Sequence, residues 1–383
     1  MAYEMIITDK TYIEMKRLAC LMVLASLGLG ATAQSGAHKS TSLTLGDFES
    51  SESSKYISVF QYWKEHDIFQ HLDVSLTTGT TGIGIDVASP IGDYLQLRAG
   101  YEYMPRFTKI MKFDMTINGE PARSYDENGN RQETKFDKLR DFLYGFTGYD
   151  VEDHADMIGK PTINNFKFMV DVCPFKSHKT LKNLHFTAGF YLGPSKFAEA
   201  VNTTETMVSL VSAGMYNSIY TKAVNGEPLI DFSSFSSFQG VTIELPEQAR
   251  KVIAGFGKLG FAVGYYKNDF VDSNGVEHRA GERYIVEPNE DSMVLVEAKS
   301  NSFKPYLGFG YGGRLLKKRD DWKVSFDCGV MFWGGTPDLY VHDGTNLTKD
   351  VERINGQVGT YVDLLKVFTV YPVLSFRLTK RIF

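Results

Sequence analysis

Apolar and polar residues alternate strictly along several stretches of the chain. A period of two is typical of β-strands that present one apolar face and one polar face. The segments with this pattern are 82–87, 95–103, 166–172, 184–192, 307–311, 324–332 and 374–378. The middle and the C-terminal part of the chain are therefore predicted to form β-hairpins.

The lengths of the connections favour a transmembrane barrel over a soluble sandwich. Short and long connections alternate in a barrel of the outer-membrane type, with short turns on one side and long loops on the other. Here the short connections are 90–93, 174–182 and 313–321, and the long ones are 105–162, 195–302 and 334–368. With a first strand at 71–78, this alternation predicts eight antiparallel strands, and the long loops contain some helix. The length also allows about 10 to 14 strands, with 260–266, 293–298 and 339–342 as further candidates.

The polar faces of these segments carry charges of both signs. In a barrel they point into the lumen, and buried charges must pair. The lumen-facing candidates are Asp86, Arg98, Glu102, Lys167, Asp171, His185, Lys304, Lys323, Asp327 and Arg377. The interior of eight strands is just wide enough to be filled by side chains. We therefore expect a filled lumen rather than an open pore.

The N-terminal residues predict export. Lys16 and Arg17 precede an apolar stretch at 18–30, and Ala31-Thr32-Ala33 resembles a signal-peptidase site. Residues 1–33 are predicted to be a Sec signal peptide, with Met15 as the true start. A flexible lead with a short amphipathic helix is expected at 34–70.

The remaining chain, 71–383, is predicted to be the barrel, and 195–302 is a large loop insert. Within the insert, the spacing of Met207, Leu210, Val211, Met215 and Ile219 predicts a helix over 203–222.

Composition and motifs exclude several classes of protein. The net charge of −5 over 383 residues lacks the basic excess of a nucleic-acid binder. The Gly308–Gly313 segment matches GxGxxG, but a charged turn follows it instead of the helix that a dinucleotide site requires. We predict no cofactor, no metal site and no catalytic residues. The acidic cluster 150–156 and the partial calcium-loop pattern at 126–130 are interpreted as solvated loops. A lipid-modifying barrel hydrolase stays open as an alternative.

Several short runs resemble a family of small outer-membrane β-barrel proteins of Bacteroidetes type. The runs are 79–86, 97–101, 304–310, 326–330 and 371–374, followed by a terminal Phe383. The resemblance covers 71–104, 163–194 and 303–383. It implies an eight-stranded barrel in the outer membrane of a Gram-negative bacterium, with outer-membrane lipid, lipopolysaccharide and the barrel-assembly machinery as partners. It also implies that Phe383 is the assembly signal, although Leu374 and Phe376 have the opposite parity.

The sequence thus predicts a structural membrane protein or a scaffold that recognises an unknown extracellular ligand through 105–162 and 195–302. A narrow channel for small solutes is the first alternative. An exported soluble β-sandwich that binds a ligand is the second.

Overall fold

The structure is a computed structural model, and it describes residues 69–92, 94–175, 177–231, 242–316, 319–354 and 356–382. The predicted signal peptide, the lead up to residue 68 and Phe383 lie outside these residues. We number helices and strands in chain order.

The strands of the described residues fall into a barrel and a set of smaller sheets. They are β1 (Asp73–Gly79), β2 (Gly82–Ile91), β3 (Leu95–Tyr103), β4 (Lys109–Asp114), β5 (Thr116–Ile117), β6 (Glu120–Pro121), β7 (Ser124–Tyr125), β8 (Arg131–Gln132), β9 (His154–Pro161), β10 (Asn164–Val172), β11 (Leu184–Leu192), β12 (Lys196–Asn202), β13 (Ile230–Asp231), β14 (Thr242–Ile243), β15 (Leu259–Tyr266), β16 (Phe270–Val271), β17 (Glu277–His278), β18 (Arg283–Val286), β19 (Leu295–Lys299), β20 (Phe303–Leu316), β21 (Arg319–Phe332), β22 (Asp338–Val341), β23 (Val351–Glu352) and β24 (Val370–Arg381).

Four α-helices and one 3₁₀ turn complete the described elements. They are α1 (Lys135–Thr147), α2 (Met207–Asn225), α3 (Glu247–Phe256), α4 (Gly356–Val367) and the 3₁₀ turn Leu181–Asn183. Helix α1 begins with a capping box in which Thr134 and Asp137 exchange side-chain to backbone hydrogen bonds, which satisfies two of the free N–H groups at the helix start. Helix α2 confirms the helix predicted over 203–222, although it begins four residues later and ends at Asn225. None of the helices in the described part of the chain has the length and apolar composition needed to span a membrane.

Eight strands close into an antiparallel barrel in the order β1-β2-β3-β10-β11-β20-β21-β24. Pairing of β1 with β24, for example Leu76 with Leu378, closes the ring. The predicted eight-stranded barrel is confirmed. The further candidates at 260–266, 293–298 and 339–342 are indeed extended, but they form β15, β19 and β22 outside the barrel. The larger strand number and the soluble sandwich are therefore wrong.

The apolar faces of the barrel strands point outward. On β2, Ile85 is 60% exposed whereas its neighbour Asp86 is fully buried. The outward-facing large apolar residues of the barrel include Leu76, Ile83, Ile85, Tyr101, Phe166, Phe186, Phe303, Leu307, Phe309, Phe326, Leu374 and Phe376. An exposed apolar band around a polar interior is the arrangement of a transmembrane barrel.

The long connections lie at one end of the barrel, which we call the long-loop end, and the short connections lie at the other, the short-turn end. Three long connections, 104–163, 193–302 and 333–369, fold together into one unit, the loop domain. Its first sheet has the order β22-β19-β12-β9-β4. This sheet takes two strands from the first connection, two from the second and one from the third.

A second sheet and the helices complete the loop domain. The order of this sheet is β18-β15-β5-β6, and β23 pairs with β15. Ile117, Leu210 and Val362 come from the three different connections, and all three are fully buried in one hydrophobic core. The segment 195–302, an insert on sequence grounds, is thus one part of a domain that the other two connections complete.

Candidate functional site

Nine of the ten lumen-facing candidates have buried side chains inside the barrel. They are Asp86, Arg98, Glu102, Lys167, Asp171, His185, Lys304, Asp327 and Arg377. Lys323 differs: its side chain is 42% exposed, and its Nζ lies 3.8 Å from Asp73 Oδ2. The structure thus places Lys323 near the short-turn end of the lumen rather than among the central charges.

Arg98 is the centre of the lumen network. Its Nη2 donates to Asp171 Oδ1 at 2.9 Å. Its Nη1 lies 3.6 Å from Asp86 Oδ2 and 3.7 Å from Asp327 Oδ2. One guanidinium on β3 therefore interacts with carboxylates on three other barrel strands, β2, β10 and β21.

A second cation, Lys167, pairs with the carboxylates that lie nearer the long-loop end. Its Nζ lies 2.9 Å from Asp86 Oδ1, and it also pairs with Glu102. Lys304 lies at the same end, where its Nζ donates to Asn165 Oδ1 at 3.4 Å and to the carbonyl oxygen of Pro194 at 3.3 Å. These contacts join β10 to β2, β3 and β20 across the outer part of the lumen.

A third cation, Arg377, contacts two of the carboxylates that Arg98 also contacts. Its Nη2 lies 3.3 Å from Asp327 Oδ1 and its Nη1 lies 3.5 Å from Asp171 Oδ2. Its Nε donates to Ser325 Oγ at 2.9 Å, and His185 Nε2 is 2.7 Å from Asp327 Oδ1. Arg98, Lys167, Arg377 and His185 thus face four carboxylates, and this pairing compensates for the loss of hydration of buried charges.

Glycines on the polar face leave room for this network. A Cβ at Gly310 would lie 2.1 Å from Asp327 Oδ1 and 2.4 Å from His185 Nε2. A Cβ at Gly100 would lie 2.1 Å from Asp86 Oδ1. The glycines that formally match GxGxxG lie within β20, and Gly310 among them accommodates side chains from β11 and β21.

An aromatic layer closes the long-loop end of the lumen, and the sequence reasoning missed it. The aromatic cap consists of Tyr191, Phe197, Tyr306, Trp333 and Tyr371. The ring centroids of Trp333 and Tyr371 are 5.4 Å apart and stacked, and Phe197 of the loop domain lies 4.6 Å from Trp333. The parity of Tyr191 on the polar face of β11, and that of Tyr306 on the polar face of β20, are signals in the sequence that could have indicated it.

The loop domain contains a cleft lined almost entirely by apolar side chains, the apolar cleft, of about 420 Å³. It lies between the two sheets and helix α4. The main contributors are Met111, Phe113, Val263, Val296, Leu339 and Leu365. The sequence analysis did not find it because its walls come from all three connections.

A second cleft of about 390 Å³, the cationic cleft, adjoins the first. The two share Phe113, Phe261, Val263 and Val358 in their walls. The cationic cleft is also lined by Lys112, Asp114, Tyr265, Arg283 and Arg353. The two clefts thus have part of their walls in common.

The acidic segment 150–156 makes internal ion pairs. Arg123 Nε donates to Asp153 Oδ2 at 2.5 Å, and His154 Nδ1 is 2.9 Å from Asp153 Oδ1. The hydrogen bond from Arg123 holds the pKa of Asp153 well below its usual range. Asp126 accepts hydrogen bonds from the backbone N–H groups of Asn128 and Asn130. Within the described ranges, no group of three or more His, Cys, Asp or Glu residues has the geometry of a metal site.

Two solved structures resemble this chain at low identity. The crystal structure of Acinetobacter baumannii CarO2 covers 81% of this chain and 98% of its own, with 12% identity and a TM-score of 0.33. That of Acinetobacter baumannii CarO covers 81% and 97%, with 13% identity and a TM-score of 0.33. No family model and no curated protein matches the chain. Likeness at this level assigns neither family nor function, so the fold rests on the strand pairing itself, and the Bacteroidetes-type family stays a prediction.

Proposed function

We propose that this protein is a barrel of the bacterial outer membrane with a closed lumen, which presents its loop domain for recognition outside the cell. The observation that carries the proposal is the division of the chain into a blocked barrel and a folded domain with its own hydrophobic core. The charged network and the aromatic cap fill successive levels of the lumen. A barrel of this kind anchors the domain rather than conducts solutes.

The location follows from the apolar band and from the predicted signal peptide 1–33. In this proposal the band contacts outer-membrane lipid and lipopolysaccharide. The barrel-assembly machinery inserts the chain, with Phe383 as part of its signal. The loop domain, at the end with the long connections, then faces the outside. We propose no catalytic activity.

Conductance tests the closed lumen. The protein from Gln34 onward is refolded into lipid vesicles, and a heat-modifiable gel shift establishes folding before planar-bilayer recordings. We expect a folded and inserted protein that is silent. Stepwise conductance would instead make this protein a narrow channel.

Cysteine labelling tests the orientation. In a background with Cys173 and Cys328 replaced by Ser, Val276→Cys places a thiol on an exposed turn of the loop domain. Leu181→Cys places one at the short-turn end as the matched control. A membrane-impermeant maleimide added to intact cells should label the first and spare the second. The reverse pattern would overturn the proposed orientation.

A further inference from the structure

The apolar cleft opens close to the long-loop rim of the barrel. Phe107, in its wall, follows the end of β3 at Tyr103, and Pro161 precedes the start of β10. Two of its apolar wall residues are substantially exposed: Phe107 is 64% exposed and Leu364 of helix α4 is 53% exposed. Apolar surface of this kind, left open to water, is characteristic of ligand-binding grooves.

The size and the lining of the apolar cleft suit one hydrocarbon chain. Its volume of about 420 Å³ lies at the low end of the range of small-molecule sites, about 300–1,000 Å³. Between Met111 on one sheet and Val263 on the other, the walls offer few hydrogen-bonding groups. A ligand that fills the cleft must therefore be apolar along most of its length.

The adjoining cationic cleft supplies a place for a negatively charged group. Arg283 donates from Nη1 to the carbonyl oxygen of Asn118 at 2.8 Å and from Nη2 to the hydroxyl of Tyr265 at 3.1 Å. The guanidinium of Arg353 lies 5.9 Å from the same Tyr265 ring. Among the described residues, no carboxylate pairs with Arg283. The two neutral acceptors hold this guanidinium in place and leave its charge without a counterion.

We propose that the two clefts together bind a single-chain anionic amphiphile of the long-chain fatty acid class. The hydrocarbon chain lies in the apolar cleft, and the carboxylate lies beside Arg283 in the cationic cleft. Arginine is suited to this role because its planar fork matches a carboxylate. This inference rests on the proposed function, since it names the class of ligand that the exposed loop domain recognises.

Displacement of cis-parinaric acid tests the proposal. This polyene fatty acid fluoresces when its chain enters an apolar site. The full mature chain is used in lipid nanodiscs, because detergent would compete for the cleft, and empty nanodiscs give the background. We expect saturable binding above that background, displacement by oleate, and weaker displacement by oleyl alcohol, which has the same chain without the charge.

Three variants separate the two compartments. Arg283→Gln should weaken oleate by at least about fivefold, since a hydrogen bond to a charged group is lost, and should leave oleyl alcohol unchanged. Ala200→Trp fills the apolar cleft and should abolish binding of both. Leu364→Glu, at the exposed edge of the cleft, should weaken both without burying a new group. Lys251→Gln on the exposed face of α3 is the matched control for Arg283→Gln and should change neither.

Several results would overturn the proposal. They are an absence of probe binding by the folded protein, an equal effect of Arg283→Gln on acid and alcohol, and binding that survives both cleft variants. A loss of oleate binding in Lys109→Ala, with no loss in Arg283→Gln, would place the carboxylate at the barrel side of the apolar cleft. That result would also contradict the proposal. The cysteine labelling of intact cells reports on the proposed function independently, so failure of one is distinguishable from failure of the other.

Discussion

Arg98 Nη2 lies 2.9 Å from Asp171 Oδ1 across two neighbouring barrel strands, although 73 residues separate the two in the chain. The first long connection of the loop domain lies between them. Both side chains are almost fully buried, so each depends on the other for the interactions that hydration would otherwise provide. This pair therefore favours the observed register of β3 and β10, because a slip of β10 by one residue would turn Asp171 toward the apolar band and leave Arg98 in the lumen.

Replacement of Arg98 should destabilise the barrel strongly. Arg98→Met leaves the carboxylates of Asp86, Asp171 and Asp327 without this cation, and the loss of one partner of a buried ion pair costs about 3–5 kcal/mol. Urea unfolding in lipid vesicles, followed by the heat-modifiable gel shift, measures the change. Arg106→Met, at an exposed arginine beyond β3, is the control and should have no measurable effect. Equal stability of the two variants would contradict the role of Arg98 in the network.

A methyl group added to the lumen face of β20 should also be poorly tolerated. In Gly310→Ala, the new Cβ would lie 2.1 Å from Asp327 Oδ1, so the buried network must shift, at a cost of about 1–3 kcal/mol. On the same strand, a Cβ at Gly313 would meet its nearest atom, Asn183 Nδ2, at an ordinary 3.5 Å. Gly313→Ala is therefore the matched control, and the same unfolding measurement should separate the two. A neutral Gly310→Ala would show that the lumen has more room than the structure gives it.

The eight strands and the inward parity of the charges could be predicted because alternation and connection length are local signals. The aromatic cap and the loop domain could not, because their contacts join residues far apart in the chain. Strand β12, for example, pairs with β9 on one side and β19 on the other, and nothing in 196–202 indicates either partner. Helix α1 did leave a local signal, Thr134 followed by Asp137, which the sequence analysis did not use.

Deletion of the middle connection should unfold the loop domain and spare the barrel. Replacement of 195–301 by a short turn removes β12 and β15, so β9 and β5 each lose one of their two partner strands. We expect trypsin to cut 105–162 rapidly in this variant, whereas the barrel keeps its heat-modifiable shift. Deletion of 273–275, at the tip of the β16–β17 hairpin, is the control and should leave both intact. A protease-resistant 105–162 segment in the large deletion would show that the connections fold independently.

The ion pair of Asp153 should make the stability of the loop domain depend on pH. The hydrogen bond from Arg123 lowers the pKa of Asp153 in the folded state. A carboxylate whose pKa is lower in the folded state than in the unfolded state stabilises the fold at pH values above its unfolded-state pKa, which is about 3.9 for Asp. This stabilisation is lost as the pH falls through the folded-state pKa. Asp153→Asn should therefore cost about 1.5 kcal/mol at pH 7, and its difference from the wild type should shrink as the pH falls below about 4.

Denaturant unfolding at several pH values measures this, with Asp150→Asn, at an exposed neighbouring carboxylate, as the control. A difference that stays constant down to pH 2.5 would mean that the Asn side chain destabilises the domain by something other than the loss of charge.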